Sequence, residues 1–393
     1  MLRFLTAGES HGPSLTIIVE GMPAGWPVDM TDLNRHLARR QQGYGRGGRM
    51  KIEKDEARVT SGVRWGETLG SPVTLVVENR DWKNWSRKMS ADPADRDDSI
   101  IVTRPRPGHA DLVGTQKYGH KDVRNVLERA SARETTSRVA AGSLARQVLE
   151  RFGVEVLGYV AEIGGIEANH EGLTPRQVFA AAEESSVRMA DADAERDIIA
   201  LIDECKKQGD TLGGVVEVCV TGLPPGLGSY VHWDRKVDAR LAGALLGVQA
   251  VKGVEFGAGF GVARVRGSEI HDEIVRTDDG IGRASNNYGG TEGGMTSGEP
   301  LVVRVAFKPI STLMQPMRSV DIASGEESKA TIERSDVVAV PAAAVICEAV
   351  VAFELTRLFL EKFGGDSLTE ITRNYEGYLA QIGREPPARG HDR

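Results

Sequence analysis

Three short motifs carry residues suited to proton transfer. GESHG at 8–12 sets Ser10 and His11 in a tight turn ahead of an apolar run. RPGH at 106–109 puts His109 in a loop rich in glycine and proline. ERSDVVAVP at 333–341 sets Arg334 and Asp336 at the start of an apolar helix, whose N-terminus favours anions. Two imidazoles that exchange protons near neutral pH and one carboxylate form a general acid–base set. Arginines are bunched around these motifs: Arg39, Arg40, Arg46 and Arg49, then Arg104, Arg106, Arg124, Arg129 and Arg133. Guanidinium forks hold carboxylates and phosphates bidentately, so the inventory suits proton transfer on a strongly anionic small molecule. No GxSxG elbow, GxxxxGK[ST] loop, HExxH or other metal cluster accompanies them. The plainer readings are a structural histidine, solvated arginines, and an Arg334–Asp336 pair that only caps its helix.

The elements that must position these residues follow from period and punctuation. One long helix is expected from Asn125 to a C-terminal cap at Gly153, with Asn125 or Asp122 at its start and Glu128 closing a capping box. Its buried stripe runs through Val126, Ala130, Ala140, Leu144, Val148 and Phe152. Arg133 and Ser137 share that stripe, and a guanidinium there needs either a carboxylate of the protein or a phosphate of a ligand. Strands are predicted at 14–20, 71–79, 154–164, 214–221 and 301–307, with two short ones in 50–63 and glycine-rich ones up to Arg266. Helices are predicted at 31–42, 173–182, 195–208, 234–251 and 341–363, the last apolar on every side. GYGRGGR at 43–49 lets Arg46 and Arg49 approach a cleft, while 286–300 reads as a loop. The insertion DWKNWSRKMSADPADRDDS is too charged for core, and its Trp82 and Trp85 pack beneath the loop or against another chain. VEGMPAG and VTGLPPG echo each other, as do GSPVTLVV and GEPLVVRV, which suggests two β/α halves with the site where they meet.

The totals narrow the class. At 393 residues the chain can bury a large core, and its ordinary apolar content reads as soluble and globular. A net charge of −7 argues against a nucleic-acid binder. No run approaches a membrane span and no signal peptide opens the chain. Cys205, Cys219 and Cys347 lack metal spacing and read as reduced thiols in a cytoplasmic protein.

From Arg3 to Gly383 the chain resembles the chorismate synthase family, through GESHGP, QGYGRGGRMKIE, DWKNW, TRPRPGHADLVGTQKYG, RNVLERASARETTSRVAAG, NNYGGTEGGMTSGEPLVVRVAFKPIST and ERSDVVAVPAAAVICEA. The resemblance implies an α+β fold, with central helices sandwiched between antiparallel β-sheets in pseudo-two-fold halves of about 1–165 and 210–383. It implies one domain over 1–383 with a disordered tail at 384–393. It implies conversion of 5-enolpyruvylshikimate 3-phosphate to chorismate and phosphate, an anti-1,4-elimination that needs reduced FMN without net redox change. By position, Arg129, Ala130, Ser131, Gln249, Ala250, Gly293, Lys308, Pro309, Ile310, Ser311, Thr312 and Arg334 match flavin contacts. Ala130 and Gln249 depart there from the usual Ser and Asn. Arg40 and Arg46 match positions assigned to NADP, although Ser10, Arg40, Arg46, Arg49, Arg104, Arg133 and Arg334 suit the substrate's acidic groups. His11 is then the candidate acid for the departing phosphate and His109 the partner of the reduced flavin. Asp336 receives the C6 proton by way of the flavin. A homotetramer, an external flavin reductase with NADPH as indirect reductant, and an interface or lid at Trp82–Asp98 are further implications. Other readings are a non-catalytic polyanion-binding protein and a flavin oxidoreductase with net hydride transfer.

Overall fold

The computed structural model describes residues 1–46, 54–277, 280–333 and 335–386. Alternating burial makes the strands. Val73, Leu75 and Val77 turn inward from one strand, and Leu301, Val303, Val305 and Phe307 from another. The first sheet holds β1 (Arg3–Ala7), β2 (Ser14–Glu20), β3 (Ala57–Ser61) and β4 (Val73–Glu78), in the order β1-β2-β4-β3. The second holds β5 (Glu155–Ile163), β6 (Ile166–Glu167), β7 (Gly214–Thr221), β8 (Val251–Phe256) and β9 (Leu301–Phe307), in the order β8-β9-β7-β5-β6. Every neighbouring pair in both sheets is antiparallel.

The principal helices are α1 (Met30–Gln41), α2 (Asp111–Tyr118), α3 (Arg124–Ala130), α4 (Thr135–Arg151), α5 (Pro175–Glu184), α6 (Ala192–Gln208), α7 (Val237–Leu246), α8 (Val340–Phe363) and α9 (Leu368–Gln381). The central pair, α4 and α8, lies between the sheets: α4 packs on β2 and α8 on β5 and β7. The sandwich implied by the resemblance is therefore present. The echoed turns also fall in equivalent places, joining β2 to α1 and β7 to the segment leading into α7. Strand–strand–helix–strand–strand–helix recurs as β1, β2, α1, β3, β4, α4 and as β5, β7, α7, β8, β9, α8. The second sheet begins in the chain at Glu155.

Small residues let the central helices touch backbone to backbone. A Cβ built on Gly142 of α4 would stand 2.2 Å from the Ala349 carbonyl oxygen of α8. Backbone cannot yield as a flexible side chain can, so Gly142→Ala is expected to cost about 1–3 kcal/mol or more through overpacking. Urea unfolding measures this, and an unchanged midpoint would contradict it.

The structure differs from the sequence reading in several places. The expected 125–153 helix is broken at Ser131, which is extended (φ −60, ψ 143). Its hydroxyl accepts from the Arg133 N–H and starts a 3-10 turn, Ala132–Glu134, ahead of α4. The Asn125–Glu128 capping box does not form, because Glu128 is engaged elsewhere and Asp122 accepts from Arg124 N at 2.9 Å. The expected 234–251 helix stops at Leu246, and Ala250, at φ +71, turns the chain into β8. Beyond β8 a 3-10 stretch, Gly259–Arg264, stands where glycine-rich strands were expected, and 286–300 contains the small hairpin Thr291–Glu292 with Met295–Thr296. Of the expected tail, Arg384 donates its N–H to Leu379 O, and 387–393 lie outside the described residues.

Candidate active site

The break at Ser131 opens one side of a cavity of about 490 Å³, within the range of small-molecule sites. Its wall combines the turn before β2, the loop before α2, the α3–α4 junction, the turn into β8, the segment after β9 and the N-terminus of α8. Ala342 and Ala343 from the first turn of α8 line it, so the positive end of a 24-residue helix faces the cavity.

Two histidines line this cavity, and each is held the same way. His11 Nδ1 lies 2.9 and 3.0 Å from the two Glu128 carboxylate oxygens, and His11 N–H donates to Glu128 at 2.8 Å. Ser10 N–H donates to the Glu128 carbonyl at 2.9 Å, so turn and helix α3 are stitched together. Arg124 donates to the same carboxylate at 3.0 Å. Burial pushes the Glu128 carboxyl up, but His11 and Arg124 outweigh it and hold the group below its ordinary value.

His109 Nδ1 lies 2.5 Å from Asp111 Oδ1, and Arg106 Nε donates to Asp111 Oδ2 at 2.8 Å. Arg106 also donates to Thr312 Oγ1 at 2.9 Å, which joins the loop before α2 to the segment after β9. Burial again opposes ionisation of Asp111, and His109 with Arg106 overcomes it, so the carboxyl stays well below its usual range. An imidazole that donates from Nδ1 to a carboxylate keeps Nε2 as the nitrogen that takes or gives a proton. Both rings thus carry their working nitrogen away from the protein partner.

The cationic wall is partly neutralised from within. Arg133 donates to both Asp55 oxygens at 2.6 Å, and Arg40 Nη1 stands 3.6 Å from Asp55. Burial works against the Asp55 charge, but Arg133 and Arg40 keep its pKa below the ordinary value. Buried Arg133 thus has a carboxylate of the protein as one partner, and it lines the cavity as well. Two guanidiniums share the Asp55 carboxylate. Arg40 is further oriented by bonds to Thr135 Oγ1 and the Ala132 carbonyl. Arg46 Nε lies 3.1 Å from Asp336 Oδ2, so Asp336 is paired with Arg46.

On the opposite wall Lys308 donates to Ser311 at 2.7 Å, and burial with nearby Lys252 lowers the Lys308 pKa. Gln249 Nε2 donates to Glu134 at 3.1 Å, which fixes the carboxamide. Its Oε1 is buried with no hydrogen-bond partner among the described residues, an acceptor that a ligand N–H would satisfy.

Of the expected site residues, Ser10, His11, Arg40, Arg46, His109, Ala130, Ser131, Arg133, Gln249, Ala250, Lys308, Ile310, Ser311, Thr312 and Asp336 line the one cavity. Arg129, Arg104, Pro309 and Gly293 do not line it. Arg129 instead binds the carbonyls of Thr6 and Gly8, and Gly293 sits in the small hairpin near Tyr230. Arg49 and Arg334 lie outside the described residues. Sequence reasoning gave no site role to Glu128, Asp111, Asp55, Asp81 or Trp85. The His-Ala-Asp spacing of 109–111 was a usable signal for Asp111.

Comparison with known proteins places the whole chain beside one family. The family profile described as chorismate synthase matches residues 2–360. The chorismate synthase of Pelobacter propionicus is 60% identical over 390 residues, covering 97% of this chain and 99% of that protein. That of Symbiobacterium thermophilum is 61% identical over 390 residues, covering 98% of this chain and 100% of its own. A crystal structure of chorismate synthase superposes with a TM-score of 0.78 at 42% identity, covering 97% of this chain and 98% of that one.

Proposed function

The chain belongs to the chorismate synthase family, and from that premise we propose that it converts 5-enolpyruvylshikimate 3-phosphate to chorismate and inorganic phosphate. The reaction is a carbon–oxygen lyase step, a 1,4-elimination in which the C6 proton and the 3-phosphate depart. The observation that carries this reading is the pair of carboxylate-held imidazoles on one arginine-rich cavity. Such a set delivers protons to an anion that a guanidinium wall has positioned.

Each part has a stated task. Arg40, Arg46 and the α8 N-terminus hold the acidic groups of the substrate and stabilise charge as phosphate forms. His11 gives a proton from Nε2 to the departing phosphate, with Glu128 fixing its tautomer. Asp336, balanced by Arg46, is the carboxylate that takes up the C6 proton. His109 would donate from Nε2 toward the pyrimidine edge of a bound flavin, held in place by Asp111, which Arg106 secures in turn.

The cavity suits reduced FMN. Ala130, Val248, Ala250 and Ile310 offer apolar surface for a flat ring, Lys308 a cation for its phosphate, and Gln249 Oε1 an acceptor for a ring N–H. When bound, the reduced flavin supplies the electron density that eases loss of phosphate from an allylic carbon. A tetrameric assembly, a cytoplasmic location and a separate flavin reductase using NADPH belong to the same proposal. No described helix is long and apolar enough to cross a membrane.

An anaerobic assay tests the reading. With chemically reduced FMN the protein is expected to release phosphate and form chorismate continuously, and with NADPH plus oxidised FMN to do neither. Absence of turnover with chemically reduced FMN would refute the function. Turnover with NADPH plus oxidised FMN would refute the external reductase.

A further inference from the structure

We propose that Trp85 is a positioning residue for the acid at His11: its indole is the flat wall that, together with Glu128, sets the direction of the imidazole. The kinetic part of this proposal rests on the elimination reading above. The His11 and Trp85 rings are stacked, with centroids 3.7 Å apart and planes inclined by 22°. Glu128 secures only the Nδ1 edge of His11, so the ring can still rock about that contact. A second ring laid against its face removes this freedom and leaves Nε2 with one direction.

The surroundings of Trp85 are built for the purpose. Its Nε1–H donates to Asp81 Oδ2 at 3.1 Å, and Asp81 N–H donates to Asn79 Oδ1 at 3.0 Å. Asn79 in turn donates from Nδ2 to the Gly12 carbonyl at 2.8 Å and from its backbone N–H to Pro13 at 2.9 Å. The segment that brings Trp85 in is therefore tied to the same turn that carries His11. Arg124, which grips Glu128, also lies 5.3 Å from the Trp85 ring centroid. Trp85, His11, Glu128 and Arg124 thus form a closed circuit of contacts at the cavity wall. The rest of this segment is mostly exposed and interrupted by 3-10 turns, with Trp82 and Met89 half-buried. Asp81 and Trp85 are the two of its residues that reach the cavity.

Two measurements test the proposal. Misplacing a reacting group by about 1 Å costs on the order of 100-fold, so Trp85→Leu is expected to lower kcat about 10–100-fold with KM for the phosphate ester little changed. Trp85→Phe, which keeps a flat ring, is expected to stay within about threefold of wild type. In protein labelled with ¹³Cε1-histidine, the His11 signal, assigned by its loss in His11→Asn, is expected upfield from indole ring current and displaced in Trp85→Leu. Should Trp85→Leu fail to fold, Asp81→Ala, which removes the acceptor of the indole N–H along with that of Asn84, is expected to shift the same signal and lower kcat. A wild-type kcat in Trp85→Leu, an equal fall in Trp85→Phe, or a His11 signal indifferent to Trp85 would each overturn the proposal. A wild-type protein without elimination activity but with the shifted His11 signal would sink the function reading and leave the stack established.

Discussion

Replacing His11 with alanine is expected to reduce kcat for phosphate release about 10²–10⁴-fold, the usual contribution of a positioned general acid. The fold should tolerate the change. Glu128 keeps the His11 backbone N–H and Arg124 as donors, so its buried carboxylate is not orphaned. Stability is therefore expected to fall by about 1.5–3 kcal/mol, the range for a lost hydrogen bond to a charged group. Rapid-quench measurement of phosphate with chemically reduced FMN separates the two effects. A variant with near-wild-type kcat would show that the acid lies elsewhere in the cavity.

The second large effect is on stability. Glu348 of α8 is buried among Arg39 of α1, Arg146 of α4 and the Gly158 N–H of β5, so one carboxylate ties both halves together. Burial raises its pKa, but Arg39 and Arg146 more than offset this and hold it down to about 2 from 4.5. Arg39→Ala removes the bidentate partner, and breaking a buried pair from one side is expected to cost about 3–5 kcal/mol. Urea denaturation measures this, and a loss below about 1 kcal/mol would contradict it. The same cluster makes acid destabilising. His36, pushed down from 6.5 to about 2 by burial and then by Arg146, is neutral in the fold. Both pKa values are depressed, so each contribution is complete above the unfolded pKa and is lost as pH falls. The His36 part declines from pH 6.5 downward and the Glu348 part from 4.5 downward, each toward about 2. His36→Gln should flatten the first part of that slope and leave the second.

The proton-transfer groups were legible because their local sequence is unusual. Glycine and proline around His11 and His109 mark turns that exist to present a side chain, and two β/α halves predict a site at their junction. Their partners were harder to read, since pairing is tertiary. Glu128 is 117 residues from His11, and its spacing from Asn125 imitated a capping box. Asp55 is 78 residues from Arg133, in a stretch read only as short strands. The small residues of 130–145 carry a helical period straight through Ser131, so the break that opens the cavity was hidden, although a serine before Ala132 is a common place for a new turn to start. Helix α9 was missed despite Ile371, Tyr375 and Leu379 at four-residue spacing, behind a Ser367 that caps Glu370. Trp85 stood out as a packing residue of a charged insertion, but its place against His11 was not readable, because a stacking partner depends on where a surface segment returns.

The stoichiometry of flavin tests the central claim most directly. Enzyme, excess substrate and a limiting amount of chemically reduced FMN are mixed without oxygen, and chorismate, phosphate and the flavin spectrum are followed together. The account predicts many molecules of chorismate and phosphate, in equal amounts, for each flavin, with the flavin still reduced at the end. Product that stops at one equivalent per flavin, with the flavin oxidised, would show net electron transfer and contradict it.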